Sequence, residues 1–293
     1  MPPKFMLYRQ FTKQDEIDDQ YNVELIVGGI KPHIDFFVGQ SARARDELEC
    51  LLDVPFGPTV EETLDIFPAR DPDAPILVFV HGGYWRRLSS KEFSLAALGP
   101  VARGITVIVT NYALCPKVTI PEITRQTRAA VAWLARTELE FSGSRERIYV
   151  SGHSAGGHQV ARLLSTDWAG DYGLPDDVIK GGYSISGLFD LGPLRYSWLQ
   201  PMLQLNDDVI RRESPLFDIP KAAPPLITDV GGAESDEFHR QSADYMRAWR
   251  SAGLAGSYRE QAGKNHFTAI RGLSDADSEL CNAIGDFIVS CEK

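Results

Sequence analysis

The chain is poor in cysteine, in basic charge and in long apolar stretches, and each shortage removes a class of protein. Its four cysteines, Cys50, Cys115, Cys281 and Cys291, include no C-x-x-C pair and match no zinc spacing. A disulfide scaffold is thereby excluded, and free thiols in a reducing cytoplasm are expected. Lysine and arginine number 30 against 40 aspartates and glutamates, a net charge of −10 with pI ≈ 5.1. An acidic surface disfavours nucleic acid and anionic membranes, so neither is an expected partner. The longest strongly apolar run is Ile76 to Val80, far short of the ~20 residues of a membrane span. Lys4 and Arg9 lie in the first ten residues without an apolar segment behind them, so a signal peptide is not expected. There is no internal repeat, no H-E-x-x-H, and no G-x-G-x-x-G or Walker A loop after a strand. No metal and no cofactor are expected.

What is present is an alternation of apolar runs. The 293 residues, 43% of them hydrophobic, can bury roughly three quarters of the surface exposed on unfolding. Residues 1 to about 60 are the least regular: Thr12 to Tyr21 reads as a surface helix and Arg43 to Leu52 as another. Leu64, Ile66 and Phe67 begin a β-rich pattern. Ile76–Val80, bounded by Pro75 and Gly82-Gly83, reads as a strand buried on both faces. Ile105–Val109, Ile148–Val150, Tyr183–Ser186, Leu226–Val230 and Ser257–Gln261 follow as further strands. Between them lie helical patterns: one opened by Pro121, Ala155 to Ser165, Phe238 to Ala252, and a last helix with Leu280, Ile284, Phe287 and Ile288 on one face, its start expected to be capped by Ser274 with Asp277. Alternating strands and helices predict an α/β fold with a mainly parallel central sheet and helices on both faces. One domain is expected over residues 1–293. It would carry an N-terminal arm over about 1–60 and a proline-interrupted insertion over about 188–221 that could cap a site.

Chemistry is concentrated in three places. Gly152-His153-Ser154-Ala155-Gly156 is a G-x-S-x-G placed between a strand and a helix, the context in which this motif exposes a nucleophilic serine. The bland alternative is a serine N-cap between packing glycines. Ser154 at a helix N-terminus would place a developing oxyanion beside free N–H groups. His81-Gly82-Gly83-Tyr84-Trp85 follows the strongest strand, and its paired glycines suit a second set of oxyanion donors. Gly82, Gly83, Tyr84 and Ala155 are the candidates, while His81 is expected to hold the loop. Of the six histidines, His153 and His158 flank the elbow and read as structural, His239 as a surface residue, and His33 lies in the irregular arm. His266, in the loop before the final helices, is the expected base in the chain order Ser…acid…His. The acid should follow Leu226–Val230. Glu234 and Asp236 both qualify; Glu234 comes first and is favoured, and Asp236 would equally well cap the next helix.

Together with Asn111–Pro116, Glu234–Phe238, Arg240–Ser242 and Asn265-His266-Phe267, these motifs resemble the α/β-hydrolase family and, within it, the kynurenine formamidases (arylformamidases). The resemblance runs from about residue 60 to 290, with Tyr21-Asn22 in the arm also similar. The family usually carries aspartate where this chain has Glu234, though glutamate serves elsewhere in the fold. The resemblance implies a serine hydrolase that releases a small acyl group from an aryl amide or ester, cytoplasmic, with a small aromatic substrate and a homodimer compatible with it. Tyr84, Trp85, Tyr196 and Trp198 would then wall the aromatic leaving group, unless they serve only as core packing. A short-chain carboxylesterase or carbamate hydrolase would use the same machinery. A non-catalytic small-molecule receptor on this scaffold is the alternative from another class.

Overall fold

The apolar runs become the middle of a sheet. The computed structural model describes residues 6–292. Its eight strands are β1 (Leu51–Pro55), β2 (Thr63–Phe67), β3 (Ile76–Val80), β4 (Thr106–Thr110), β5 (Ile148–His153), β6 (Ile179–Ile185), β7 (Leu226–Gly231) and β8 (Gly256–Gln261). They lie in the order β1-β2-β4-β3-β5-β6-β7-β8. β2 pairs antiparallel with both β1 and β4, and every other pairing is parallel. All residues of β3, β4 and β5 are buried, whereas β1 and β8 at the two edges are largely exposed. This is the expected pattern for a sheet covered on both faces.

Two neighbouring glycines of β6 show the two layers. A Cβ on Gly181 would stand 2.8 Å from Phe287, in the helix Glu279–Cys291. A Cβ on Gly182 would stand 2.6 Å from Leu164, in the helix Ala155–Leu164. Successive strand residues face opposite sides, so these helices cover opposite faces. The chain visits β3, crosses to β4 on one side and returns to β5 on the other. β3 and β5 therefore meet where the strand order reverses, and the crevice beyond their C-terminal ends is where such sheets bind ligands.

The arm is more ordered than its composition suggests. It contains the helices Gln14–Tyr21 and Lys31–Glu47, and the second of these replaces the helix expected over Arg43 to Leu52. The chain then turns into β1, which the sequence reading missed because an exposed edge strand has no buried face to impose an alternating pattern. Gln14–Tyr21 is a docked helix, with Ile17 and Tyr21 fully buried. The start of the last helix is also corrected: Ser278, not Ser274 with Asp277, is its N-cap and accepts from the Cys281 N–H. Ser274 instead closes the preceding 3-10 helix by donating to the Arg271 carbonyl at 2.8 Å. No helix among the described residues is long and apolar enough to cross a membrane.

Tyr21 is the pin that docks the arm. Its hydroxyl donates to Glu237 Oε2 at 2.7 Å and accepts from Gln241 Nε2 at 2.8 Å. Its carbonyl accepts from the Tyr84 hydroxyl at 2.7 Å. Burial, and then the neighbouring Glu237 carboxylate, push the Tyr21 hydroxyl well above its ordinary pKa, so it stays protonated and donates. Tyr21→Phe keeps the ring and strands two buried partners, so it should lower stability by about 1–3 kcal/mol. A urea denaturation midpoint equal to wild type would show that this network does not hold the arm.

Candidate active site

Ser154 sits between β5 and the helix Ala155–Leu164 with φ 58° and ψ −116°, a region that residues bearing a Cβ rarely occupy. The turn is tight because backbone passes close to it on several sides. A Cβ on Gly156 would stand 1.9 Å from the Val80 carbonyl oxygen, and one on Gly152 would stand 2.4 Å from that of Gly156. The glycines of G-x-S-x-G are thus required by contact with β3. The Ser154 N–H is tied to the Ile185 carbonyl at 2.8 Å, which locks the elbow to β6.

The His81–Trp85 loop lies against this elbow. The Cβ position of Gly82 is 2.9 Å from the His153 carbonyl and 3.3 Å from Ser154 Cβ. Gly83 has φ 117°, and Tyr84 and Trp85 follow at φ 51° and 56°. Among the described residues, the N–H groups of Gly82, Gly83, Tyr84 and Ala155 find no protein acceptor. Unpaired N–H groups at the end of β3 and at a helix N-terminus form a positive pole beside Ser154. His81 holds the loop: its ring is fully buried, stacks on Tyr112 at 4.0 Å and bonds the Gly82 carbonyl at 2.8 Å. Burial pushes its pKa down to about 4, which keeps it neutral.

His266 Nδ1 lies 2.6 Å from Glu234 Oε2. The carboxylate is fixed by its other oxygen, which accepts from the Gly231 N–H at 2.8 Å and from Ser186 Oγ at 2.5 Å. With Nδ1–H given to Glu234, Nε2 keeps its lone pair. His266 and Ser154 line one cavity together with Gly83 and Tyr84. Of the two candidate acids, Glu234 is the one in contact with His266, while Asp236 lies exposed in the first turn of the helix Asp236–Ser251. The other histidines take structural places. His153 donates through Nε2 to the His266 carbonyl at 2.8 Å, and burial, with His266 next to it, holds it neutral. His158 bonds the Glu213 carbonyl at 2.6 Å. His239 meets the Tyr258 hydroxyl at 3.0 Å, and His33 stacks on Phe267.

The aromatic candidates separate. Tyr84 lines the Ser154 cavity; Trp85, Tyr196 and Trp198 are not among its lining residues. Trp85 is fully buried edge-on against His158 at 5.1 Å. Trp198 stands edge-on to Tyr84 at 6.2 Å under Arg86, and Tyr196 is half-buried in the insertion. The roof that the insertion was expected to supply comes from the arm, as Val23, Ile30 and Phe37, with Phe93 and Phe267 beside them. Nothing in the linear pattern marks these residues, because their role arises only when the arm folds back. Ser186 was missed for the same reason: it meets Glu234 across 48 residues of chain.

Comparison with known proteins gives the chain's relatives. A family model described as BD-FAE matches residues 64–170. The kynurenine formamidase of Danio rerio is 32% identical over 253 residues, covering 84% of this chain and 84% of that protein. Esterase LipQ of Mycobacterium tuberculosis is 26% identical over 260 residues, covering 80% of this chain and 61% of that protein. Among solved structures, a candidate thioesterase from Silicibacter sp. TM1040 superposes with a TM-score of 0.80 at 30% identity, covering 92% of this chain and 99% of that one. Esterase B from Lactobacillus rhamnosis shares the fold alone, with a TM-score of 0.69 at 12% identity over 92% of this chain and 95% of that one.

The two carboxylates can be told apart by kinetics. Glu234→Gln should lower kcat for an aryl acetate on the order of 10⁴-fold, as when an acid that sets a histidine tautomer becomes an amide. Asp236→Asn should leave kcat near wild type. The reverse ranking would transfer the role to Asp236.

Proposed function

The chain belongs to the kynurenine formamidase family of α/β-hydrolases, and we propose that it releases a small acyl group, formyl above all, from an aromatic amine through Ser154, Glu234 and His266. In this reading Ser154 Oγ attacks the formyl carbon while His266 Nε2 takes its proton. The N–H groups of Gly83, Tyr84 and Ala155 hold the oxyanion. Collapse breaks the C–N bond, and His266 passes its proton to the departing aniline nitrogen. Water, deprotonated by His266, then attacks the formyl ester and frees formate and Ser154. Glu234 stabilises the imidazolium that forms in each half.

The observation that supports a small acyl group is the cavity itself. Its water-accessible volume is about 20 Å³, the space of about one water molecule. Val23, Ile30, Phe37, Tyr84 and Phe93 wall it. Formyl or acetyl suits such a space; a longer chain would have to displace buried aromatic rings. The relatives named kynurenine formamidase support the aromatic formamide as the substrate class.

Two measurements test this reading. Ser154→Ala should lower kcat on the order of 10⁶-fold with the fold intact, and activity comparable to wild type would remove the serine mechanism. Purified protein should release formate from N-formylkynurenine, and its kcat/KM for aryl esters should fall from acetate to octanoate. An open acyl pocket would instead gain about 1–3 kcal/mol for each methylene that fits, so a maximum at hexanoate or beyond would favour a lipase-like enzyme.

A further inference from the structure

The rim of the cavity carries one pair of opposite charges. Arg87 lines the cavity that holds Ser154 and His266. Its guanidinium pairs with Glu24 of the arm, and both side chains are part-exposed, at 30% and 27%. Val23 lines the cavity and Leu25 is exposed, so Glu24 stands between interior and solvent. The pair lies near the reacting groups, since Arg87 lines the same cavity as Ser154 and His266.

The cavity beside Ser154 has room for about one water, so an aromatic leaving group extends beyond it. Arg87 lines the cavity and pairs with Glu24 of the arm, so a leaving group that extends past the rim on this side separates that pair. Separating the pair is easy because it is part-exposed, but it leaves a cation on the body and an anion on the arm. A neutral aryl group compensates neither. A leaving group that carries a carboxylate and an ammonium compensates both, and the planar guanidinium fork matches a carboxylate in two-point contact.

Building on the formamidase reading, we infer that Arg87 and Glu24 form a recognition site for the α-amino acid zwitterion of the leaving group. Arg87 takes its carboxylate and Glu24 its ammonium, so the intramolecular ion pair is exchanged for two intermolecular ones as the arm admits the substrate. Recognition is then directional. The formyl carbon at Ser154, the carboxylate at Arg87 and the ammonium at Glu24 fix three points of the substrate.

The test compares N-formyl-L-kynurenine with 2-formamidoacetophenone, which keeps the aryl formamide and ketone but lacks the amino acid. Wild type should prefer the zwitterion in kcat/KM by roughly tenfold or more, the scale of one charge-assisted contact. Arg87→Met and Glu24→Gln should each lower that ratio toward one. The double exchange Arg87→Glu with Glu24→Arg rebuilds the ion pair between arm and body but reverses its direction, so the ratio should stay low. Full recovery of the ratio in the double variant would show that the pair only latches the arm, and a wild-type ratio near one would likewise overturn the inference. Failure of both formamides while aryl acetates are hydrolysed would instead refute the formamidase reading, and this inference would fall with it.

Discussion

Ser154 must be held at φ 58° at the end of a buried strand, and most of the surrounding structure follows from that one constraint. A residue with a side chain does not rest there unless its neighbours forbid the alternatives. They do so by close backbone packing. Gly156 lies against the Val80 carbonyl, Gly152 against Gly156, and the Ser154 N–H bonds across to β6. These contacts need β3, β5 and β6 side by side in parallel register, which the buried apolar runs provide. The strain is placed where the strand order reverses, so the His81–Trp85 loop after β3 and the elbow after β5 converge without any long connection.

Around this point the charges are sorted by burial. His81, His153 and His158 are fully or almost fully buried and kept neutral, each spending a ring nitrogen on a backbone carbonyl. They act as shaped packing with a polar edge. His266 is as buried as its neighbours but is the one with a carboxylate on Nδ1, and that carboxylate is held by a backbone N–H and a serine. The partner of one nitrogen thus sets His266, the proposed base, apart from the structural imidazoles.

The arm joins the fold to the site. Tyr21 bonds Glu237 and Gln241 on the helix that follows Glu234, and also Tyr84 in the oxyanion loop. Ser235, next to the acid, donates to the Gln20 carbonyl at 2.6 Å. The first helices of the chain are therefore bonded to the segments that carry the proposed acid and oxyanion donors. They roof the cavity with apolar side chains, and the less water reaches it the stronger the electrostatic contacts inside it.

What the sequence by itself determined was local. A strand buried on both faces is apolar over most of its length, so β3 to β7 and the α/β class were legible. A strand-to-helix elbow needs small residues at fixed offsets, so Ser154 and the His81–Trp85 loop stood out, and chain order then singled out His266. Glu234 was favoured over Asp236 by spacing, but their contacts could not be read, because a carboxylate two residues away meets the same sequence rules. Tertiary structure decided what depends on distant segments meeting: the placing of Glu234 on His266, the grip of Ser186 on Glu234, and the burial of Trp85 away from the cavity. It also decided that the roof is the arm. Val23, Ile30 and Phe37 are ordinary apolar residues in a weakly patterned segment, and no short-range rule could assign them to a cavity wall that exists only after the chain has closed on itself.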